Sequence, residues 1–478
     1  MSKAKRLHPA AIVFNFVQGL KGWIFYIIIS FVALRDSSIL YFILGLLALL
    51  LIIFTFSFLS WYRFTYRIVA DELRMEYGIL IRKKRYISKN RIQSIDLTQG
   101  VIHRIFNLTK VQIETASSGT DAEASLKAVK LAEGERIRDQ FKGHVIDPEQ
   151  EDQPEVDSDP VFSISSRRLW LAGATSGSAG IILAFVGVGF SEIEQFIPEH
   201  FYDSMTAWII GLSLIFIITL GIFLLFFIWI LGILGTMIKY WKFTITKKDD
   251  ELFITRGLLE KKQITIPIKR IQAVGINESV IRQPFGFVTL FAEVAGSSLD
   301  KGEDFSTVLF PILRKTEVKQ FLDAILPGYD VEMDQSKSIL VPKRGLKYYL
   351  IRASLIFVLL GIGTIFLLPK IIWFLIPVLL VFLGLGYLRF KNAAYQIDEN
   401  RLIIQYRNLS KTTVMVYHKR IQAFEEKQHK LHQKENLATI KVSVLGKMGA
   451  GKVYKVKELD KENADKLADW YSYSVSNK

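Results

Sequence analysis

The string Gly446-Lys447-Met448-Gly449-Ala450-Gly451-Lys452 has the GxxxxGK spacing with which a glycine-rich loop cradles nucleotide phosphates. That chemistry also needs a Ser or Thr next, to hold Mg²⁺, with a strand before the loop and a helix after it. Here Val453 follows, and Val453 to Val456 reads as a strand, so the string is a basic β-turn. His429 and His432 stand three residues apart, with His418 eleven before His429. A metal needs three or four ligands with supporting partners, so these read as solvent-facing loop histidines. The chain has no Cys, which removes disulfides, thiolate metal sites and thiol nucleophiles together. It has no GxSxG and no HExxH string either. No catalytic residue, cofactor or metal is expected; the chain reads as a non-enzyme.

What does recur is an Arg-Ile-Gln triplet. Arg91-Ile92-Gln93 returns as Arg270-Ile271-Gln272 and as Arg420-Ile421-Gln422. Eighteen residues before each Arg stands a Leu: Leu73, Leu252 and Leu402. Thirteen before it stand Gly78 and Gly257, but Arg407 in the third copy. Fifteen after it come Phe106-Asn107-Leu108, Phe285-Gly286-Phe287 and Glu435-Asn436-Leu437. Then follow Ala116-Ser117-Ser118-Gly119, Ala295-Gly296-Ser297-Ser298 and Leu445-Gly446-Lys447-Met448. Matched offsets in three places mean a triplicated unit. Two roles suit the shared Arg91, Arg270 and Arg420, with Gln93, Gln272 and Gln422 beside them. One is lipid phosphate binding; the other is pinning a strand or loop. The second is preferred, because the triplet survives in the third copy, where the surrounding residues diverge. Better lipid-docking candidates are the clustered Arg82, Lys83, Lys84 and Arg85 on a hairpin, with Lys261 and Lys262 in the matching place. Each basic residue near an anionic leaflet contributes about 1 kcal/mol.

The elements that carry these residues include long apolar blocks. Half of the 478 residues are apolar and 22% are charged, at net charge +15. Apolar runs cover Ala11 to Leu34, Ile39 to Leu59, Leu169 to Phe190, Ala207 to Ile238, Ile351 to Leu368 and Ile371 to Leu388. Each reaches or nearly reaches the roughly 20 residues that span a bilayer core, and the Ala207 block, at 32 residues, exceeds them and should tilt or extend beyond the lipid. They form three hairpins, at 11–60, 167–238 and 348–388. The outer flanks are basic and the joint at 191–206 is acidic. By the positive-inside rule, both termini and every long polar segment face the cytoplasm. In the third block, Gly173 and Gly177 have the GxxxG spacing of close helix packing.

The polar segments, at 61–143, 239–328 and 389–473, alternate apolar and polar residues and so read as strands. In the first, strands are expected over Trp61 to Val69, Leu73 to Leu80, Arg85 to Ile95, Lys110 to Glu114 and Ser125 to Leu131. Closing helices are expected over Glu133 to Phe141, Thr316 to Ile325 with Thr316 as N-cap, and Lys461 to Tyr471. The segments 144–166 and 329–347 read as linkers, the first an acidic, disordered tether.

The repeated Arg-Ile-Gln, the Phe-Asn/Gly step and the Ala-Ser/Gly-Ser ending resemble the bacterial pleckstrin-homology-like domain. With a span pair before each copy, the chain resembles YdbT-type membrane proteins of Gram-positive bacteria. The resemblance implies six transmembrane helices in hairpins plus three cytoplasmic PH-like β-sandwich or barrel domains, each capped by a C-terminal helix. It also implies a small YdbS-like companion bearing one such domain. The expected protein is a non-enzymatic, multi-pass cell-membrane scaffold that binds this companion, with anionic lipid headgroups as a further partner. A cell-envelope role in tolerance of bacteriocin-like peptides follows from the same resemblance. The alternative is an accessory subunit of a transport or export complex. Nucleic acid is not expected as a partner, and an oligomer is compatible with this reading.

Overall fold

The computed structural model describes residues 4–33, 39–69, 71–115, 124–142, 160–177, 214–295, 306–367, 372–446 and 451–473. The acidic segment 144–159 and most of the third apolar block therefore lie outside the described residues. The first unit comprises β1 (Lys5–Arg6), α1 (Ala10–Ala33), α2 (Ile39–Arg63), β2 (Thr65–Val69), β3 (Glu72–Tyr77), β4 (Lys83–Ser88), β5 (Ile92–Gln99), α3 (Val101–Ile105), β6 (Leu108–Thr115), β7 (Ala124–Lys130) and α4 (Leu131–Lys142). The second comprises β8 (Val161–Ser163), α5 (Ser166–Ala174), α6 (Leu214–Tyr240), β9 (Thr244–Lys248), β10 (Glu251–Arg256), β11 (Lys261–Pro267), β12 (Ile271–Glu278), β13 (Phe287–Val294), β14 (Thr307–Arg314) and α7 (Val318–Ile325). The third comprises β15 (Ile339–Leu340), α8 (Leu346–Leu367), α9 (Ile372–Lys391), β16 (Ala394–Asp398), β17 (Arg401–Arg407), β18 (Lys411–Tyr417), β19 (Ile421–Lys427), α10 (Lys430–Gln433), β20 (Leu437–Leu445), β21 (Gly451–Asp460) and α11 (Lys461–Tyr473).

Period-2 burial builds each core. In β10 the apolar Leu252 and Ile254 point inward and alternate with half-exposed residues. The closing helix covers the sandwich: α7 buries Val318, Phe321, Leu322 and Ile325, at the spacing of one helical face. Three core clusters result, centred on Ile95 and Ile113, on Phe243 and Phe310, and on Tyr395 and Tyr454. The second and third share residues across the unit boundary, because Ile403 and Met415 pack into the second and Phe291 into the third.

The sheets run through the unit boundaries. β1 to β4 form one sheet; β7-β6-β5-β11-β10-β9-β8 form the next, and β14-β13-β12-β18-β17-β16-β15 the one after. β19-β20-β21 close the series. The later half-sheet of each unit thus continues into the early half-sheet of the following one. The strands β1, β8 and β15 precede the helical hairpins and pair with the first strand after them, so β8 and β15 come from segments read as linkers.

Several expectations need correction. The strand expected from Arg85 to Ile95 is broken by a 3₁₀ turn at Lys89–Arg91, which sends β5 to the other sheet. Trp61 to Arg63 belong to α2, since the helix is not stopped until Phe64. Thr316 does not cap α7; it sits inside a 3₁₀ turn, Lys315–Glu317, closed by Glu317 accepting from the Arg314 N–H at 3.1 Å. The basic cluster is not the turn of its hairpin: residues 79–81 make the bend, and Lys83, Lys84 and Arg85 lie in β4. Of the six spans expected, three are found among the described helices as long and apolar enough to cross a membrane, Ala10–Phe31, Ile39–Arg63 and Ile218–Tyr240, while most of the third apolar block lies outside the described residues.

Candidate functional site

Two sets of residues stand out, the strand junctions between units and the loops at the ends of the apolar helices. At the first junction β11 pairs antiparallel with β5, setting Lys261 opposite Gln99, Lys262 opposite Thr98 and Gln263 opposite Leu97. At the second, β18 pairs with β12, setting Lys411 opposite Glu278, Thr412 opposite Asn277 and Thr413 opposite Ile276. Counted from Arg270 and Arg420, Lys261 and Lys411 hold one repeat position; counted from Arg91 and Arg270, so do Gln99 and Glu278. Both junctions use the same register. A one-residue slip would turn every side chain to the wrong face, so a shared register marks a specified interface.

Polar contacts lock the junctions. The Thr265 N–H donates to Asp96 Oδ1 at 3.0 Å, and Arg138 Nη1 donates to Gln263 Oε1 at 3.1 Å. Arg270 Nη1 lies 3.2 Å from Glu114 Oε2, and a second nitrogen of Arg270 donates to the Ala295 carbonyl of its own unit. Glu114 is 4% exposed and also accepts from Ser94 Oγ at 2.7 Å. At the second junction Arg420 Nη2 donates to the Lys269 carbonyl at 2.7 Å, and Tyr454 Oη donates to the buried Glu293 at 3.3 Å. The signature Arg therefore reaches the preceding unit in both cases. Arg91, in the first of the three units, is exposed and makes no hydrogen bond or ion pair among the described residues. Its strand neighbour β4 and, at the far end, β19 each pair on one side only.

The turns after β3, β10 and β17 are tied to the second helix of each pair. Arg63 Nη1 donates to the Ile79 carbonyl at 2.6 Å, the Leu258 N–H to Ile238 at 2.9 Å, and Arg389 Nε to Asn408 at 2.9 Å. Gly78 at φ +112° and Gly257 at φ +107° make two of these turns, where a Cβ would fall 2.0 Å from a carbonyl oxygen. Each tip presents a Leu to the outside: Leu80 is 91% exposed, Leu259 52% and Leu409 60%. The connection after β5, β12 and β19 comes to the same side. His103 stacks on Phe14 of α1 at 3.9 Å, Arg282 Nη2 donates to the Ala172 carbonyl of α5 at 2.9 Å, and Tyr348 Oη of α8 donates to Leu431 at 3.2 Å. Ile105, Phe106, Val280, Ile281, Phe285 and Leu431 are exposed there. Large apolar side chains left outside at a helix end that reaches a bilayer suit the headgroup boundary.

The expected site residues distribute as follows. Arg82 is ion-paired with Glu76 at 2.6 Å, while Lys83, Lys84 and Arg85 are exposed along β4. Lys261 and Lys262 instead lie in the first junction, Lys262 14% exposed and 3.8 Å from Glu260. Gln272 is buried and donates to the Arg270 carbonyl at 3.0 Å; Gln93 is half-buried and Gln422 exposed. Gly173 meets Ile233 of α6, where a Cβ would stand 3.0 Å from its backbone, whereas a Cβ at Gly177 would meet nothing within 4 Å among the described residues. Of the histidines, His429 is solvent-exposed as expected and accepts from the Leu431 N–H at 3.3 Å, whereas His418 and His432 are half-buried, His418 bonding the Tyr471 carbonyl at 3.0 Å and His432 lying 3.8 Å from Glu458. Residues 447–450 lie outside the described residues, but Lys452 and Val453 are in β21, which leaves no helix after the glycine string.

Two features were missed in the sequence. The junction carboxylates Asp96, Glu114 and Glu293 sit in strands that read as ordinary alternation. The tips had a visible signal, since Leu80, Leu259 and Leu409 all stand eleven residues before the signature Arg.

Comparison with known proteins agrees with the triplication. The family model for the bacterial PH domain matches residues 22–144, 193–328 and 344–475. The chain is also 34% identical over 506 aligned residues to the UPF0699 transmembrane protein YdbT of Bacillus subtilis (strain 168), with all of both chains covered.

Proposed function

Because the chain belongs to the bacterial PH domain family, as a relative of a YdbT transmembrane protein, we propose that it is a non-enzymatic membrane scaffold whose PH-like units join a partner protein edge to edge. Six helices in three hairpins anchor the units on the cytoplasmic side. The single observation that carries the reading is the pair of junctions with one register and the same edge left open on β4 beside the unengaged Arg91. Open strand edges bind by adding a strand, main-chain bonds giving affinity and side chains specificity. The fitting occupant is another PH-like unit with an acidic β5-type edge, such as the YdbS-like companion, because β4 presents Lys83, Lys84 and Arg85. Anionic lipid is a second partner, met by the basic residues and by the exposed Leu tips. A role in tolerance of membrane-active peptides is the physiological side of the same proposal.

The test uses the full chain in mild detergent or nanodiscs with a photo-crosslinking residue at Lys84 or, as control, at the exposed Lys269. Capture of a small PH-like membrane protein at position 84 and not at 269 is expected, and Arg91→Glu should reduce it. Capture of a second copy of this chain, or of an ATPase, would replace the companion; the ATPase would favour an export complex. Equal capture at both positions would remove the edge from the argument.

A further inference from the structure

The third unit departs from the other two, and its departures converge on one cavity. Where units one and two need Gly78 and Gly257, the third has Arg407, which stays in β17. Its last strand also carries more cations: β7 holds Lys127 and Lys130 and β14 only Arg314, whereas β21 holds Lys452, Lys455 and Lys457. Lys455 and Lys457 fall on one face of β21 by the two-residue period. Together with Arg352 of α8 and Arg389 of α9, these cations line a cavity of about 470 Å³ between the helical hairpin and the β-unit.

The charge there is poorly balanced. Glu458 accepts from Arg352 at 2.5 Å, and Glu293 comes within 3.8 Å of Lys452. Arg389, Arg407, Lys455 and Lys457 form no ion pair among the described residues. Arg407 is 6% exposed; it donates from Nη1 to the Leu409 carbonyl at 3.1 Å, yet its buried Nε has no partner among the described residues. A buried donor left unmade costs about 1 to 3 kcal/mol. Burial, then the neighbouring Arg352, depress the Lys457 ammonium below its usual range, with Lys455 and Arg389 adding to the effect and Glu458 opposing it. The Arg407 guanidinium is likewise held down by burial, with Glu278 working against it. Cations crowded around an open cavity with an unused guanidinium donor match the chemistry of an anion that brings several acceptor oxygens.

We propose that this cavity binds a phosphate-bearing anion, the phosphodiester headgroup of an anionic phospholipid. Position argues for the lipid source, because Arg352 stands in the second turn of α8 and Arg389 in the last turn of α9, near the level where headgroups lie when the pair spans. Basic pockets between such helices and a surface domain are known hosts for acidic headgroups. The inference rests on the membrane-scaffold reading for its lipid source but not on the edge contact of β4, so crosslinking at Lys84 and lipid retention fail separately.

The test is lipid retention by the full chain after detergent washing, read by native mass spectrometry with phosphatidylglycerol and phosphatidylcholine supplied together. Wild type should keep one phosphatidylglycerol, and Lys455→Gln/Lys457→Gln should lower that occupancy at least tenfold. Lys319→Gln/Lys337→Gln, at exposed positions outside the cavity lining, should leave it unchanged. A parallel arm titrates inorganic phosphate and glycerol phosphate in lipid-free detergent; a melting shift there in wild type, absent in the double variant, would assign the site to soluble phosphate. Lys455→Gln alone, at an exposed position, guards against misfolding of the double variant. Equal retention of both lipids with no phosphate response, or full retention by the variants, would overturn the proposal.

Discussion

Arg91, Arg270 and Arg420 occupy one position of the repeat but three environments, so their side chains should differ in what they contribute. Arg270 faces a carboxylate that is 4% exposed, and removing it leaves that charge buried. Breaking one half of a buried pair typically costs about 3 to 5 kcal/mol, and the remaining Ser94 bond to Glu114 should hold the loss near the lower figure. Arg270→Met should therefore loosen the first junction, seen as faster amide exchange in β5 and β11. Arg91→Met, at an exposed site, should change stability by no more than about 0.5 kcal/mol. Equal effects of the two would mean that the ion pair does not hold the junction. His103 adds a pH dependence. Burial holds its imidazole below the usual range, the Lys127 carbonyl opposing and Lys110 assisting. The folded unit thus favours neutral imidazole while the unfolded chain protonates near 6.5, so stability falls as pH drops through that value. Amide protection at α3, with the pH dependence of the intrinsic exchange rate divided out, should fall from pH 7.5 to 5.5, and His103→Gln should flatten that change.

At the scale of elements, close approach and alternation decide what each segment can be. Gly173 lets α5 meet the backbone of Ile233 in α6, with Trp229 Nε1 donating to the Ala174 carbonyl at 3.1 Å one turn away. Gly173→Leu has nowhere to put its side chain and should separate the helices, at about 1 to 3 kcal/mol of overpacking. Gly177→Ala should be tolerated in the same melting assay; a loss there as large as at Gly173 would refute the contact. The same physics explains what could be read in advance. Strands, apolar helices and closing helices were legible because each has a strong period, and the triplication because Arg-Ile-Gln recurs at fixed offsets. The break at Lys89–Arg91 was passed over, although the four consecutive polar residues Ser88 to Arg91 interrupt the alternation there. The pairing between units was not legible, because a strand edge has no side-chain signature of its own: β5 alternates equally well whether or not β11 lies beside it. The candidate site was half visible, its basic residues by charge and its buried carboxylates not at all.

For the whole molecule, the repeat ties topology to assembly. Each unit wraps one helical pair between its first strand and the rest of its sheet, as β1, β8 and β15 show. A chain that joins its units through continuous sheets must keep all of them on one side of the bilayer, because a ladder of main-chain hydrogen bonds cannot cross hydrocarbon open-edged. That requires every helical pair to return to the side it left. The proposed cytoplasmic placement rests on the basic flanks, among them Arg63, Arg67, Lys239, Lys343, Arg389 and Lys391, by the positive-inside rule. A chain without Cys makes the test direct. Cys introduced singly at Ser2, Ser158 or Ser476 should be protected from an impermeant thiol reagent in intact cells and react after permeabilisation. Cys at Ser204, in the joint that carries Glu192, Glu194, Glu199 and Asp203 and no Lys or Arg, should react without permeabilisation. Labelling at Ser158 in sealed cells would place the segment between the first two units outside. The β5–β11 ladder would then need a chain path through the bilayer that the helices do not provide, and the one-sided arrangement would have to be given up.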